Sequence, residues 1–325
     1  LKNYVVKKYQ STSYSLWNEF VATAKNATFL FHRDFIEYHS DRFQDFSLLI
    51  FDEKENLKAI LPANKVGDTI YSHQGLTYGG LILNQKSKLQ DVLEITYNIL
   101  RFLNENKVST LNLKQLPSIY AQFPSEEMEY LSFILNAKLV RRDSLSVLDL
   151  KTDYSFSKDR KQAINRGIKN NLVIKEETDF KVFWNEILIP NLEQKHNAKP
   201  VHTLEEITFL KSKFPKNIRQ FNVYKEDEIV AGTTIFVYDK VAKPQYISGN
   251  SDKNELGSLD FLYDFLVNEF KHKSYFDFGP SNEENGRKIK EGILFWKESF
   301  GSRTMVQNFY EIETKNYSLI ENVLI

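Results

Sequence analysis

Apolar residues recur at helical spacing from Ser13 to Ala24, where Leu16, Phe20 and Val21 line up with Trp17 beside them, and Ser13 is placed to act as N-cap. A second short helix is expected over Phe31–Tyr38. The pattern then changes to strands: Phe46–Phe51 (FSLLIF), Leu57–Ala63 (LKAILPA) and Thr69–His73 (TIYSH), joined by the polar turns DEKEN and KVGD into an antiparallel meander. From Leu89 to Asn106, Val92, Ile95, Ile99, Leu100 and Leu103 form one stripe, which predicts an amphipathic helix. Ser109–Gln115 alternates as a strand, Glu126–Asn136 reads as a helix, and Leu139–Leu150 closes the series as a strand.

The same order then runs a second time. Phe183–Glu186 reads FWNE where Leu16–Glu19 reads LWNE, and Trp184 follows Trp17 by 167 residues. Phe221–Ala231 (FNVYKEDEIVA) repeats the strand, acidic turn and strand of Leu49–Ala59 (LIFDEKENLKA). Strands at Thr233–Val237 and Gln245–Ser248 follow, then an amphipathic helix at Leu259–Phe270 and a strand at Ser274–Gly279. A helix over Arg287–Ser299 and a strand over Thr304–Ile312 end the series. A constant order at a near-constant offset predicts a tandem duplication, with one domain over 1–152 and a second over 153–325. At the junction, Ser157–Asn170 (SKDRKQAINRGIKN) predicts a basic helix capped by Ser157. It serves either as a solvated connector or as an anion-facing wall, the latter carried by Arg160.

Composition narrows the chemistry. Lys+Arg and Asp+Glu are both 43, so the whole molecule exerts no long-range pull on a polyanion, and any nucleic-acid contact has to come from a local patch. The absence of cysteine removes disulfides, thiolate nucleophiles and Cys-ligated zinc together. His196 and His202, six apart, lack metal-ligand spacing, so no metal is expected. No 18-residue apolar run and no signal-peptide core are present, so no membrane span and a cytoplasmic location are the expectation.

The most informative stretch is Ser274–Gly301, SYFDFGPSNEENGRKIKEGILFWKESFG. Along its strand Phe276 and Phe278 fall on one face, and Tyr275, Asp277 and Gly279 on the other. A carboxylate in so apolar a strand needs a partner or a task. With this stretch, Val230-Ala231-Gly232 after the acidic turn and Tyr246–Ser251 (YISGNS), the chain resembles the Fem family of peptidyltransferases, which are built from two tandem GNAT-type N-acyltransferase domains. The resemblance implies an α/β (α+β) fold of two tandem GNAT-like domains, each a mixed, mostly antiparallel sheet flanked by helices. It also implies transfer of an acyl or aminoacyl group to an amine, often on a cell-wall (peptidoglycan) precursor, by direct attack and without a covalent enzyme intermediate.

The implied co-substrate is acyl-coenzyme A or aminoacyl-tRNA, with no permanently bound cofactor. Coenzyme A enzymes of the superfamily place a Gly-rich, Arg-containing loop at the start of the helix after the fourth strand. Here that loop is Asp252–Asp260 (DKNELGSLD), with one glycine, no arginine, and acids at Asp252, Glu255 and Asp260. The charged coiled-coil arm of some tRNA-using relatives is missing too. The acceptor partners implied are an amino sugar, a nucleotide sugar or a peptide, with tRNA as a further partner. The alternative is a non-catalytic ligand-binding protein on the same fold, with a degenerate donor site.

Amide formation needs a deprotonated amine, a carbonyl held close and donors at the developing oxyanion. Asp277 is the first catalytic candidate, with ordinary backbone bonding as its alternative, and His73 at a strand end is a candidate base. Tyr246, Ser248 and Asn250 share one strand face and are candidates to line the acceptor site. Ser281, Arg287, Lys288 and Lys290 are candidates to neutralise an acceptor diphosphate. Trp296 reads as core.

Overall fold

The computed structural model describes residues 1–325, apart from the side chains of residues 195 and 196. The chain divides into two compact units. The first comprises Leu1–Asp143, Glu284–Arg287 and Val306–Ile325; the second comprises Ser144–Glu283 and Lys288–Met305. A single cut after residue 152 was expected; instead the chain leaves the first unit inside the strand Lys138–Asp149 and returns inside the strand Arg303–Glu313.

In the first unit, Val5–Lys8, Leu48–Phe51, Leu57–Leu61 and Ile82–Leu83 form an antiparallel sheet. The next hairpin, Asn64–Val66 with Thr69–Tyr71, does not extend that sheet as the expected meander would. It pairs in parallel with Thr110–Lys114, which in turn pairs antiparallel with Phe309–Glu313. The helix Leu89–Glu105 lays Val92, Ile95, Ile99 and Leu103 onto a core with Leu48, Ile50 and Leu111. Removing such side chains from water is the main stabilising term.

In the second unit the strand order is Leu145–Asp149, Tyr275–Pro280, Val241–Gly249, Glu228–Val237, Ile218–Lys225 and Val173–Glu177. All neighbours are antiparallel except one: Tyr275–Pro280 runs parallel to Val241–Gly249, pairing only Val241 with Tyr275 and Ala242 with Phe276. The helix Ser258–Glu269 supplies Leu262, Tyr263 and Leu266 to a core that holds Phe221, Phe276, Phe278 and Phe300. The duplicated tryptophans occupy corresponding places. Trp17 and Trp184 are both fully buried, and the indole of each donates to a backbone carbonyl further along its own unit, Phe31 O at 2.8 Å and His202 O at 3.4 Å.

Several local expectations change. Ser13 precedes the helix Tyr14–Thr23, yet its side chain makes no capping bond, because a 3-10 turn, Ser11–Ser13, leads into that helix. Ser157 does cap the basic helix Lys158–Lys169, accepting from Arg160 N. The last helix starts at Glu291, not Arg287. Ahead of it, Asn282–Glu283 and Lys288–Ile289 form a hairpin whose tip takes positive φ at Glu284, Asn285 and Gly286.

Candidate functional site

The strand Tyr275–Pro280 places its aromatic face in the core and turns Asp277 the other way, as alternation requires. Asp277 is 1% exposed, and its carboxylate accepts from Gly279 N at 2.7 Å and from Lys243 Nζ at 3.3 Å. Lys243 lies one residue beyond the last parallel pair, so the ion pair sits where the two strands part. Between Asp277 and Pro280 the strand is bulged, with Gly279 at φ +76°, where L side chains are strained.

Lys297, on the helix Glu291–Glu298, reaches this bulge. Its Nζ donates to Gly279 O at 2.9 Å and to Pro280 O at 2.7 Å, and the residue is only 4% exposed. Burial, reinforced by the Lys243 charge and opposed by Asp277, brings its pKa down to about 8. Beside it, Ser281 is buried and its hydroxyl has no hydrogen-bond partner among the described residues. Trp296 packs on Tyr263 and Phe300, as a core residue does, and its indole donates to Asp260 at 2.9 Å.

The other expected residues engage separate partners. The Tyr246 hydroxyl accepts from His202 N at 3.0 Å, the Ser248 hydroxyl accepts from Asn191 at 2.8 Å, and Asn250 Oδ1 accepts from Asp252 N at 3.1 Å. The segment around Asn191 and His202 therefore covers the Tyr246 and Ser248 face, which sequence alone left open to an acceptor. Arg287 and Lys288 are exposed, and Lys290 is ion-paired with Glu283 at 2.7 Å. Arg160 is paired with Asp260. His196 has its side chain outside the described residues.

That Arg160–Asp260 pair closes the start of the helix Ser258–Glu269. The basic helix packs directly on this end: a Cβ on Gly257 would stand 2.1 Å from Ala163 O, and one on Gly167 would stand 2.5 Å from Phe261. The helix start where the resemblance implied a diphosphate is covered by the unit's own basic helix and by the Asp260 carboxylate.

In the first unit, His73 lies at φ +64°, 2% exposed, stacked on His39 at 5.2 Å. Burial first, and then His39, push its pKa down to about 3. A neutral imidazole this weakly basic does not suit the expected role of base at neutral pH. Nearby Lys114 is brought down to about 8, chiefly by burial and then by the Arg141 charge.

No family model matches the sequence, and no curated protein matches it. Solved structures do match. Over 97% of this chain and 100% of the other, the fold superposes on FemX with a TM-score of 0.67 at 9% identity. The fold is of the Fem/GNAT type. The C-terminal domain of a putative lysylphosphatidylglycerol synthetase from Agrobacterium fabrum gives 0.58 at 13% identity, covering 83% of this chain and 85% of that one. A tandem GNAT protein from the clavulanic acid biosynthesis pathway gives 0.52 at 11%, covering 96% and 99%. The two tandem GNAT-like domains expected from the repeat are therefore present. Lys243 was not among the residues singled out from sequence, and Lys297 was noted there only as lying, with Trp296, one to two turns beyond Arg287, Lys288 and Lys290. The signal for Lys297 was a lysine spaced four residues after Ile293 and three before Phe300, on an apolar stripe.

Proposed function

We propose that the protein is an N-acyltransferase that moves an acyl or aminoacyl group onto the amino group of a sugar or peptide acceptor, with Lys297 meeting the reacting carbonyl. One observation carries this reading: the Lys297 amine is buried and held by two backbone carbonyls, with no carboxylate bonded to it among the described residues. Two of three N–H donors are used, and the third is left for a ligand. With a pKa of about 8 the group is mostly protonated at neutral pH, so it can stabilise negative charge developing on the acyl oxygen. The amine nitrogen bonds to the acyl carbon, the bond from that carbon to the donor's oxygen or sulfur breaks, and the amine proton passes to the leaving group or solvent. Asp277 is a positioning residue, fixing the bulge through Gly279 N and holding Lys243.

The closed start of the helix Ser258–Glu269 argues against acyl-coenzyme A placing its diphosphate there and favours an aminoacyl-tRNA donor. The same closure favours a second reading, a ligand-binding protein whose donor site has degenerated. Among the described residues no helix is long and apolar enough to cross a membrane, and the acceptor proposed is a water-soluble amine such as a peptidoglycan precursor in the cytoplasm. Incubation with labelled aminoacyl-tRNA or acyl-coenzyme A and amino-sugar or peptide acceptors tests the proposal. Transfer lost in Lys297→Met supports it. No transfer and no rise in melting temperature with either donor sinks it in favour of the second reading.

A further inference from the structure

A cavity of about 440 Å³ opens in the first unit where the parallel pair Thr69–Tyr71 and Thr110–Lys114 ends. The charged residues in its wall are Lys114 and Arg141, both cationic, and among the described residues no carboxylate lines it. Its other polar groups are the amides of Gln74, Asn112 and Asn285, the Ser72 hydroxyl, the His73 imidazole and the phenols of Tyr71 and Tyr310.

These groups are fixed from behind and leave donors facing inwards. Lys114 Nζ donates to Leu76 O, and the Lys114 backbone N–H donates to Ser72 Oγ at 2.8 Å. Arg141 gives Nε and Nη2 to Asp143 at 2.9 and 2.6 Å and lies over Phe309 at 4.6 Å, so its Nη1 edge remains. Gln74 Oε1 accepts from Asn64 at 2.8 Å, which leaves the Gln74 amide N–H₂ for the cavity. Two cations on one cavity repel each other, and Asp143 is already committed to Arg141. A cavity built this way is completed by an anion.

We propose that this cavity binds a small carboxylate ligand with an amide-containing body, of amino-acid to dipeptide size. Two remaining Lys114 donors and one Arg141 edge match a planar two-oxygen group. The fork of Arg141 that would grip a phosphate side-on is taken by Asp143. The surrounding amides then suit a peptide-like body. The cavity uses none of the residues assigned to transfer, so the two readings fail independently.

Calorimetric titration of the full chain with N-acetylglycylglycine, its C-terminal amide and inorganic phosphate tests this. Saturable binding of the carboxylate is expected, at least about tenfold tighter than either comparison compound. Lys114→Met, checked for an unchanged circular dichroism spectrum, should lose at least about tenfold, and Lys114→Arg should restore most of it. If Lys114→Met does not fold, Asn285→Ala on the exposed hairpin tip should still weaken binding severalfold. The proposal is overturned by no saturable binding to wild type, by equal binding of the neutral amide, by tighter binding of phosphate, or by variants that bind as wild type does.

Discussion

The two units carry the same short parallel strand pair and put different things where it ends. In the first, Thr69–Tyr71 and Thr110–Lys114 lead to an open cavity with a lysine in its wall. In the second, the pair at Val241–Tyr275 and Ala242–Phe276 leads to a buried knot of Lys243, Asp277, Lys297 and a bulged strand. Lys114 and Lys297 both have a pKa lowered to about 8, chiefly by burial, and each has an ion pair nearby, Arg141 with Asp143 in the first unit and Lys243 with Asp277 in the second. The two units therefore share the scaffold and the buried tryptophans, while the residues just past the parallel pair differ, lining an open cavity in one and forming a packed polar centre in the other.

The strongest way to break that contrast is to remove the carboxylate. Asp277→Leu leaves Lys243 buried without its partner and should cost about 3–5 kcal/mol, read from denaturant curves. Adding Lys243→Met should return most of that loss, because the pair is then replaced by apolar groups. Lys114→Met, whose amine bonds a carbonyl and no carboxylate, should cost far less. Equal losses for Asp277→Leu and Lys114→Met would mean that the two centres are built alike.

Next in size is the effect on transfer. Lys297→Met should lower kcat by about 10²–10³, as loss of an oxyanion donor does. For a lysine that works as a cation, kcat/KM should fall as pH rises through about 8. A rate that instead climbs through that pH would make Lys297 a base.

Much of this was legible in the sequence because the repeat is carried by core residues. Trp17 and Trp184 mark the same helix in each unit, and the stripe on Leu89–Glu105 was plain in its spacing. What was hidden depends on tertiary partners. Val5–Lys8, mostly exposed, pairs with Leu48–Phe51 and shows no strong pattern of its own. The GRKIK run reads as a helix start, yet positive φ at Glu284, Asn285 and Gly286 closes a hairpin there. Lys243 and Lys297 look like ordinary surface charges until the bulge at Gly279 supplies carbonyls for one and Asp277 a charge for the other.

A smaller effect comes from pH acting on stability. An unfolded lysine titrates near 10.5, and Lys297 and Lys114 near 8 when folded, so between those values the unfolded chain binds more protons. Stability should therefore rise with pH above about 8, by at most about 1.4 kcal/mol per pH unit per lysine, with the full penalty present below 8. Lys297→Met and Lys114→Met should each remove one share of the rise. A flat profile for wild type would show that neither amine is desolvated as the structure has it.

The finest comparison uses the duplicated tryptophans. Trp17→Phe and Trp184→Phe remove the same volume from corresponding positions, so their packing losses largely cancel. The hydrogen bonds do not cancel, since the Trp17 indole lies 2.8 Å from Phe31 O and the Trp184 indole 3.4 Å from His202 O. A shorter bond to a buried carbonyl contributes more, so Trp17→Phe should be the costlier by about 0.5–1 kcal/mol in matched denaturant titrations. If Trp184→Phe costs as much or more, the second tryptophan is held by something beyond its carbonyl. The edge contacts with Phe180, Phe183 and Tyr246 would then be the first place to look, because Trp17 has an aromatic partner of this kind in Tyr9 alone among the described residues.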